Sequence, residues 1–203
     1  MYGGPDLVYQ RAKKATEHAL DIERAFIWGE KASTTGSNSK PLRTTGGLLE
    51  FIEGGTGFVQ NQGGPLTAPD FNTFLREGFT YGDNQKVLMC GGVVLQAINE
   101  MARGQLRTKT GDKSYGLEIS EYMTPFGSIN IVHNPLFVEE YSGYAFLLDL
   151  NCFRYRFMAN RDTKLMMNVQ APDVDGEIDQ FITEAGLERK QSPLCALLKG
   201  VTD

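Results

Sequence analysis

The sequence predicts an α+β chain in which helices come first and antiparallel strands follow, and three observations predict it. Small and apolar residues recur from Val8 through Ala12, Ala15, Ala19 and Ile22 to Phe26 at alternating steps of four and three, the spacing of one helix face. The short apolar run Val87-Leu88-Met89-Cys90 ends on Gly91-Gly92, after which Val94, Leu95, Ile98, Met101 and Ala102 return to helical spacing. From Leu117 onward the text changes to β-branched and aromatic runs punctuated by Pro and Gly, the composition of strands and turns.

The first helix is expected from Pro5 to about Glu30. Pro5 suits a first turn, where its missing N–H has no partner to lose, and Gly29 suits the end. Lys13, Lys14, Glu17, Asp21, Glu23 and Arg24 fall mostly off the apolar seam, where Glu17 and Asp21 can pair with nearby bases. At a rise of about 1.5 Å per residue such a helix runs roughly 40 Å, longer than a small core needs, so it reads as a spine. Its Val8 to Phe26 face is expected to be buried against a sheet. Residues 31–47, with Ser, Thr, Gly, Asn and Lys in a run before Pro41, read as an exposed loop, and the patch 46–52 docks back. A second Gly-rich stretch, 54–64, leads to Thr67, which can cap a helix carrying Phe71, Phe74, Leu75 and Phe79 on one face. After the strand, turn and helix of 87–102 comes a basic loop around Arg107, Lys109 and Lys113. Leu117, Ile119, Tyr122, Phe126, Ile129, Ile131 and Val132 then mark a hairpin with Pro125 and Gly127 at its turn. Runs at 146–150, 153–158, 165–169 and 186–201 continue the strand pattern.

Composition bounds what such a chain can do. Its 203 residues suit one compact unit with at most one subdivision, and 41% hydrophobic against 22% charged residues allows a sizeable core. Twenty Lys and Arg against 25 Asp and Glu give a net charge of -5, which excludes holding DNA by a generally basic surface. No window approaches the roughly 18 apolar residues that span a bilayer. Met1 is followed by Tyr2, Gly3, Gly4 and Pro5 instead of a basic and then apolar leader, so the chain reads as soluble and unexported. Cys90, Cys152 and Cys195 are odd in number and outside any C-x-x-C spacing, which favours reduced thiols over a disulfide framework or a zinc site.

No residue set carries an enzyme or cofactor reading. His18 and His133 are too few for a metal site without carboxylates at ligand spacing, and a structural role is expected for both. Residues 173–179 alternate acids as a calcium loop does, but Gly176 stands at the fourth position where an EF-hand needs it at the sixth, so a solvated acidic turn before a strand is expected. Gly111-Asp112-Lys113-Ser114 lacks the glycine spacing of a P-loop. Gly91-Gly92, between a strand and a helix, is the better anion candidate, yet no G-x-G-x-x-G accompanies it. No G-x-S-x-G elbow occurs, and no cysteine has a basic sequence neighbour that would activate it. Trp28, the Phe and the Tyr residues fall mostly within apolar periodic runs, as core packing requires. Catalytic, cofactor and metal residues are therefore all expected to be none.

What remains is an order of segments. Leu20 to Gly29 closes the spine with Ala25-Phe26-Ile27-Trp28-Gly29, and after the loop comes Arg43-Thr44-Thr45-Gly46-Gly47-Leu48-Leu49-Glu50-Phe51-Ile52. Thr124-Pro125-Phe126-Gly127-Ser128-Ile129-Asn130-Ile131-Val132 follows downstream, and then Glu184-Ala185-Gly186-Leu187-Glu188 through Ala196-Leu197-Leu198-Lys199-Gly200. This order resembles the major head proteins of tailed bacteriophages, over nearly the whole chain. The resemblance implies the Hong Kong 97-type capsid fold. Its peripheral domain would take 1–65, with the spine helix at about 6–28, and return through 173–190. Its axial domain of mixed sheet and flanking helices would take 66–172 and the final strand in 191–203. It implies a structural subunit, not an enzyme, that self-assembles as hexamers and pentamers into an icosahedral shell around packaged double-stranded DNA. Scaffold, protease or decoration proteins are its further implied partners, with no membrane and no sequence-specific nucleic acid. The implied location is the virion, after assembly in the bacterial host cytoplasm. Relatives carry an N-terminal arm and an extended hairpin loop before the spine, whereas this chain starts at the spine, so a monomer or small oligomer is expected in dilute solution. The competing classes are an α+β enzyme and a small-ligand-binding module, either of which needs a concave site with convergent polar groups.

Overall fold

A computed structural model describes residues 6–37, 39–101, 107–108 and 120–202. In chain order these form α1 (Asp6–Trp28), β1 (Ala32–Thr35), β2 (Pro41–Thr44), α2 (Leu48–Glu53), β3 (Phe58–Pro65), α3 (Ala68–Gly78), β4 (Gln85–Cys90) and α4 (Gly92–Met101). Next come β5 (Arg107–Thr108), β6 (Ser120–Thr124), β7 (Gly127–His133), β8 (Ala145–Leu148), β9 (Phe153–Phe157), β10 (Lys164–Met166), β11 (Gln180–Ile182), β12 (Ala185–Arg189) and β13 (Ala196–Thr202). The chain divides into two compact units, 1–50 with 154–188 and 51–153 with 189–203.

The second unit is built on a seven-stranded sheet in the order β3-β13-β8-β4-β7-β6-β5. The sheet is mixed, as the resemblance implies and unlike the antiparallel strands that the strand text alone predicts: β13 runs parallel to β3 and β4 parallel to β7, while β8 is antiparallel to both β13 and β4. Parallel neighbours need long crossovers, and α3 and α4 lie in the connections that lead into and out of β4. Phe71, Phe74 and Leu75 of α3 and Val94 and Ile98 of α4 pack with Leu88, Ile129, Ile131, Leu147 and Leu198 of the sheet. The central strand β8 is buried at all four positions, its Phe146 meeting Phe137 with ring centroids 5.7 Å apart. Thr67 caps α3 as its spacing predicts, accepting the Asp70 N–H, with Pro69 in the first turn. The β6–β7 hairpin turns at 125–126 with Thr124 Oγ1 accepting from the Phe126 and Gly127 N–H groups. Of the residues expected in that hairpin, Leu117 and Ile119 lie outside the described residues, as does the expected basic loop at Lys109 and Lys113.

The first unit holds α1, a β1–β2 ribbon, the β9–β12 pair and a β10–β11 ribbon. Residues 31–47, expected to be loop, contain the antiparallel β1–β2 ribbon, whose eight residues are all exposed. The expected helix is continuous from Asp6 to Trp28, but the expected buried face is corrected: Val8 is 58% exposed, and Ala12, Ala15 and Ala19 are exposed too. The more enclosed side carries Arg11, His18, Ile22 and Ala25, turned by roughly 70° around the axis at 3.6 residues per turn. The reason is what the rest of the unit offers. Asp179 binds Arg11 Nε at 2.6 Å, Thr183 Oγ1 lies 2.7 Å from His18 Nε2, and Phe181 stacks on the His18 ring at 5.9 Å. An acid, a hydroxyl and a ring hold the helix by its polar side.

At the end of α1 two glycines meet. The Gly47 N–H donates to the Gly29 carbonyl at 2.7 Å, and a Cβ on Gly47 would come within 2.6 Å of the Gly29 nitrogen and 2.7 Å of the Ile27 oxygen. Ile27 is 2% exposed beside this crossing. The crossing gives the Trp28-Gly29 and Gly46-Gly47 segments a common purpose: they let two stretches of backbone touch.

Candidate assembly surfaces

The residues weighed for chemistry are scattered. His18 is held by Thr183 and Phe181, and His133 stands exposed at the end of β7, paired in register with Cys90. No cluster of His, Cys, Asp or Glu able to hold a metal occurs among the described residues. Gly91 is explained by crowding: a Cβ there would fall on the Ser142 carbonyl, while its N–H donates to Tyr144 O at 3.0 Å. The 111–114 turn lies outside the described residues. Cys90, Cys152 and Cys195 are buried free thiols. Burial pushes the Cys90 thiol up to about 12, the reverse of an activated nucleophile.

A buried cation that residue spacing could have revealed is Lys86, 1% exposed. Positions 86, 88 and 90 of β4 all face inward, so strict alternation already placed this lysine with Leu88 and Cys90. Its ammonium donates to the carbonyls of Gly78 at 2.6 Å, Tyr81 at 2.8 Å and Leu194 at 2.8 Å, so all three protons are used. Burial lowers its pKa from the ordinary lysine value, with the Cys195 thiol and the Asp149 carboxylate pulling the other way. This is a tie between segments, closed to any ligand.

The surfaces with capacity to bind lie in the first unit. Thirteen of the nineteen large apolar side chains exposed among the described residues belong to it, including Tyr155, Phe157, Met158, Met166, Met167 and Ile178. Two shallow clefts flank its strands. One, of about 240 Å³, runs along Ile22, Ala25 and Phe26 to Thr45, Thr183 and Ala185. The second, of about 640 Å³, shares those last three residues and adds Leu42, Arg43, Arg156, Met158 and Glu184. Arg156 is held by Glu188, and Glu184 by Arg161 at 3.2 Å, whereas Arg43 makes no ion pair among the described residues. Such open, two-sided surfaces fit a protein partner better than an enclosed small molecule.

The family follows from the whole length of the sequence: residues 2–202 match that described as SU10 major capsid protein. The chain belongs to the SU10 major capsid protein family. No curated protein matches it. Among solved structures it is similar to a prophage protein of E. coli CFT073 described as a capsid protein, at 12% identity and a TM-score of 0.53, covering all of this chain and 72% of that one. It is also similar to a chain of the satellite phage P4 procapsid that includes the size determination (Sid) protein, at 13% identity and a TM-score of 0.57, covering 99% and 69%. The fold, a long helix with a mixed sheet, is that of phage capsid proteins. This major capsid protein has a structural role in a phage or prophage particle.

Proposed function

We propose that this major capsid protein is the repeating subunit of a closed icosahedral shell of the Hong Kong 97 type, built from hexamers and pentamers around packaged double-stranded DNA. The observation that carries the reading is the imbalance between the units. The second unit buries a continuous core, whereas the first leaves thirteen large apolar side chains of its described residues in water and is stabilised by covering them with neighbouring copies. We read the unit that holds the spine helix as the peripheral domain and the seven-stranded unit as the axial domain. The borders of that reading then fall at 50 and 153, against 65 and 172 expected from sequence. Its working property is assembly, not catalysis, in the host cytoplasm and with scaffold, protease or decoration proteins as its further partners.

Expression of the complete gene product with its phage partners, followed by electron microscopy, tests the reading. Closed shells are expected. Their absence under those conditions overturns it, and a micromolar metal or nucleotide affinity would favour a ligand-binding module instead.

A further inference from the structure

The first unit carries an acidic loop and a cleft in which Arg43 is the charge left to pair. The loop, 168–179, is closed at its neck by Val169 N–H to Ile178 O at 2.8 Å and by Ile178 N–H to Gln170 Oε1 at 3.1 Å, and turned by Val174 N–H to Ala171 O at 3.1 Å. Its base is fixed to the N-terminal half of the helix by Asp179, which accepts from Arg11 and from the Asn168 N–H at 3.2 Å. The loop presents Asp173, Asp175 and Glu177, all exposed, with Val174 at 48% and Ile178 at 50% exposure between and beside them. Among the described residues none of these three acids makes an ion pair. The cleft presents the complement. Its lining carries Arg43, Arg156 and Glu184; Arg156 is held by Glu188 and Glu184 by Arg161, which leaves Arg43 to pair, beside Leu42 and Met158, which are 60% and 62% exposed.

Within one copy the two do not meet: neither Arg43 nor any of the three acids makes an ion pair among the described residues.

We propose that the 173–178 loop of one copy seats in the Leu42, Arg43, Arg156 and Met158 cleft of a second copy. The proposal rests on the capsid reading above and names one contact within it. Carboxylates of Asp173 and Asp175 pair with the Arg43 guanidinium, whose planar fork donates two N–H groups at a time to carboxylate oxygens. Val174 and Ile178 cover Leu42 and Met158. Loop and cleft are different surfaces, so the contact is heterologous: each copy gives its loop to one neighbour and receives a loop from another, and the chain of contacts closes as a ring. Each contact is weak, as exposed ion pairs are, and repetition makes the sum decisive.

The chain's own three cysteines are buried, so an introduced surface cysteine reacts selectively. Leu42→Cys protein is mixed with Val174→Cys protein and treated with a short bis-maleimide, and Met158→Cys with Ile178→Cys provides a second pair should either of the first fold poorly. Docking sets a millimolar effective concentration, so each pair should cross-link between copies about tenfold or more above a Leu42→Cys and Asn99→Cys control. In the Leu42 and Val174 pair, Arg43→Glu should reduce the yield to control level, and the triple change Asp173→Lys, Asp175→Lys, Glu177→Lys on the partner should restore it. Yields at control level for both pairs overturn the proposal, as does a yield indifferent to Arg43→Glu. Electron microscopy of the unmodified protein separates the two readings: shells without the cross-link sink this contact alone, and the cross-link without shells sinks the capsid reading alone.

Discussion

The Lys86 ammonium donates to the Leu194 carbonyl at 2.8 Å across 108 residues of sequence. The same nitrogen binds the carbonyls of Gly78 and Tyr81, so the end of α3, the turn before β4 and the approach to β13 share one cation. The Phe79 ring lies under it at 5.5 Å. A buried charge is costly unless every proton is used, and here every proton is.

Replacing Lys86 by Met should therefore destabilise the protein by about 2–4 kcal/mol, because three carbonyls lose their donor in a closed site while little volume changes. Urea unfolding followed by circular dichroism measures it. A loss below about 0.5 kcal/mol, the level of an unremarkable surface change, would show that the tie contributes nothing.

Gly47→Ala should be among the most damaging single-methyl changes in the chain. Its Cβ would press on the backbone of Gly29 and Ile27, none of which is the mobile end of a side chain, and relief requires breaking the Gly47 to Gly29 hydrogen bond. A cost of roughly 2 kcal/mol or more is expected, with the loss appearing in the fluorescence of Trp28, the only tryptophan. Wild-type unfolding for this variant would mean that the crossing is loose.

Acid should release α1 from its loop. The Arg11 guanidinium, helped by the Asn168 N–H, holds the Asp179 carboxyl below the usual carboxylate value. A depressed folded value means stability that is present above the ordinary carboxylate range and lost as pH falls through the folded value. Asp179→Asn should thus be less stable than wild type at neutral pH, with the difference shrinking as pH falls below the ordinary carboxylate range. A deficit that persists unchanged at low pH would mean that the ion pair is not its cause.

Local chemistry was legible in the sequence and distant pairing was not. Thr67, Pro69 and the Phe71, Phe74, Leu75 spacing specify α3 within one short window, and the structure follows them. β3 was invisible as a strand because Phe58–Pro65 is rich in Gln and Gly, with no alternation to read; its partner β13 lies at the far end of the chain. The enclosed side of α1 departs from the apolar stripe for a related reason: what packs on the helix is Asp179, Phe181 and Thr183, supplied from the other end of the unit. The acidic loop at 173–179 was plain from composition. The cleft was not, since Leu42, Arg43, Arg156 and Met158 come from segments more than a hundred residues apart in sequence, which only the fold brings to one cleft.

The exposed start of the apolar stripe and the buried end of α1 can be told apart by charge insertion. Val8→Asp adds an acid to a side chain already in water and should change stability by less than about 0.5 kcal/mol, while Ile27→Asp buries one beside the Gly29 and Gly47 crossing and should cost several kcal/mol. Comparable losses from both would restore the apolar stripe as the packed face in solution.

Thiol reactivity reads the opening of the sheet directly. Cys90 ends β4, in register with Ala145 on one side and His133 on the other, and is fully buried. Its thiol is pushed up to about 12 by that burial, so at pH 8 almost no thiolate exists even where a reagent could reach it. Burial raises Cys152 and Cys195 as well, and Cys152 is the least enclosed of the three at 6% exposure. A disulfide reagent at pH 8 should therefore label Cys152 first and Cys90 last, at rates set by local opening, and all three at once in guanidinium chloride. Rapid native-state labelling of Cys90 would mean that β4 separates from β7 or β8 far more readily than a central core strand should.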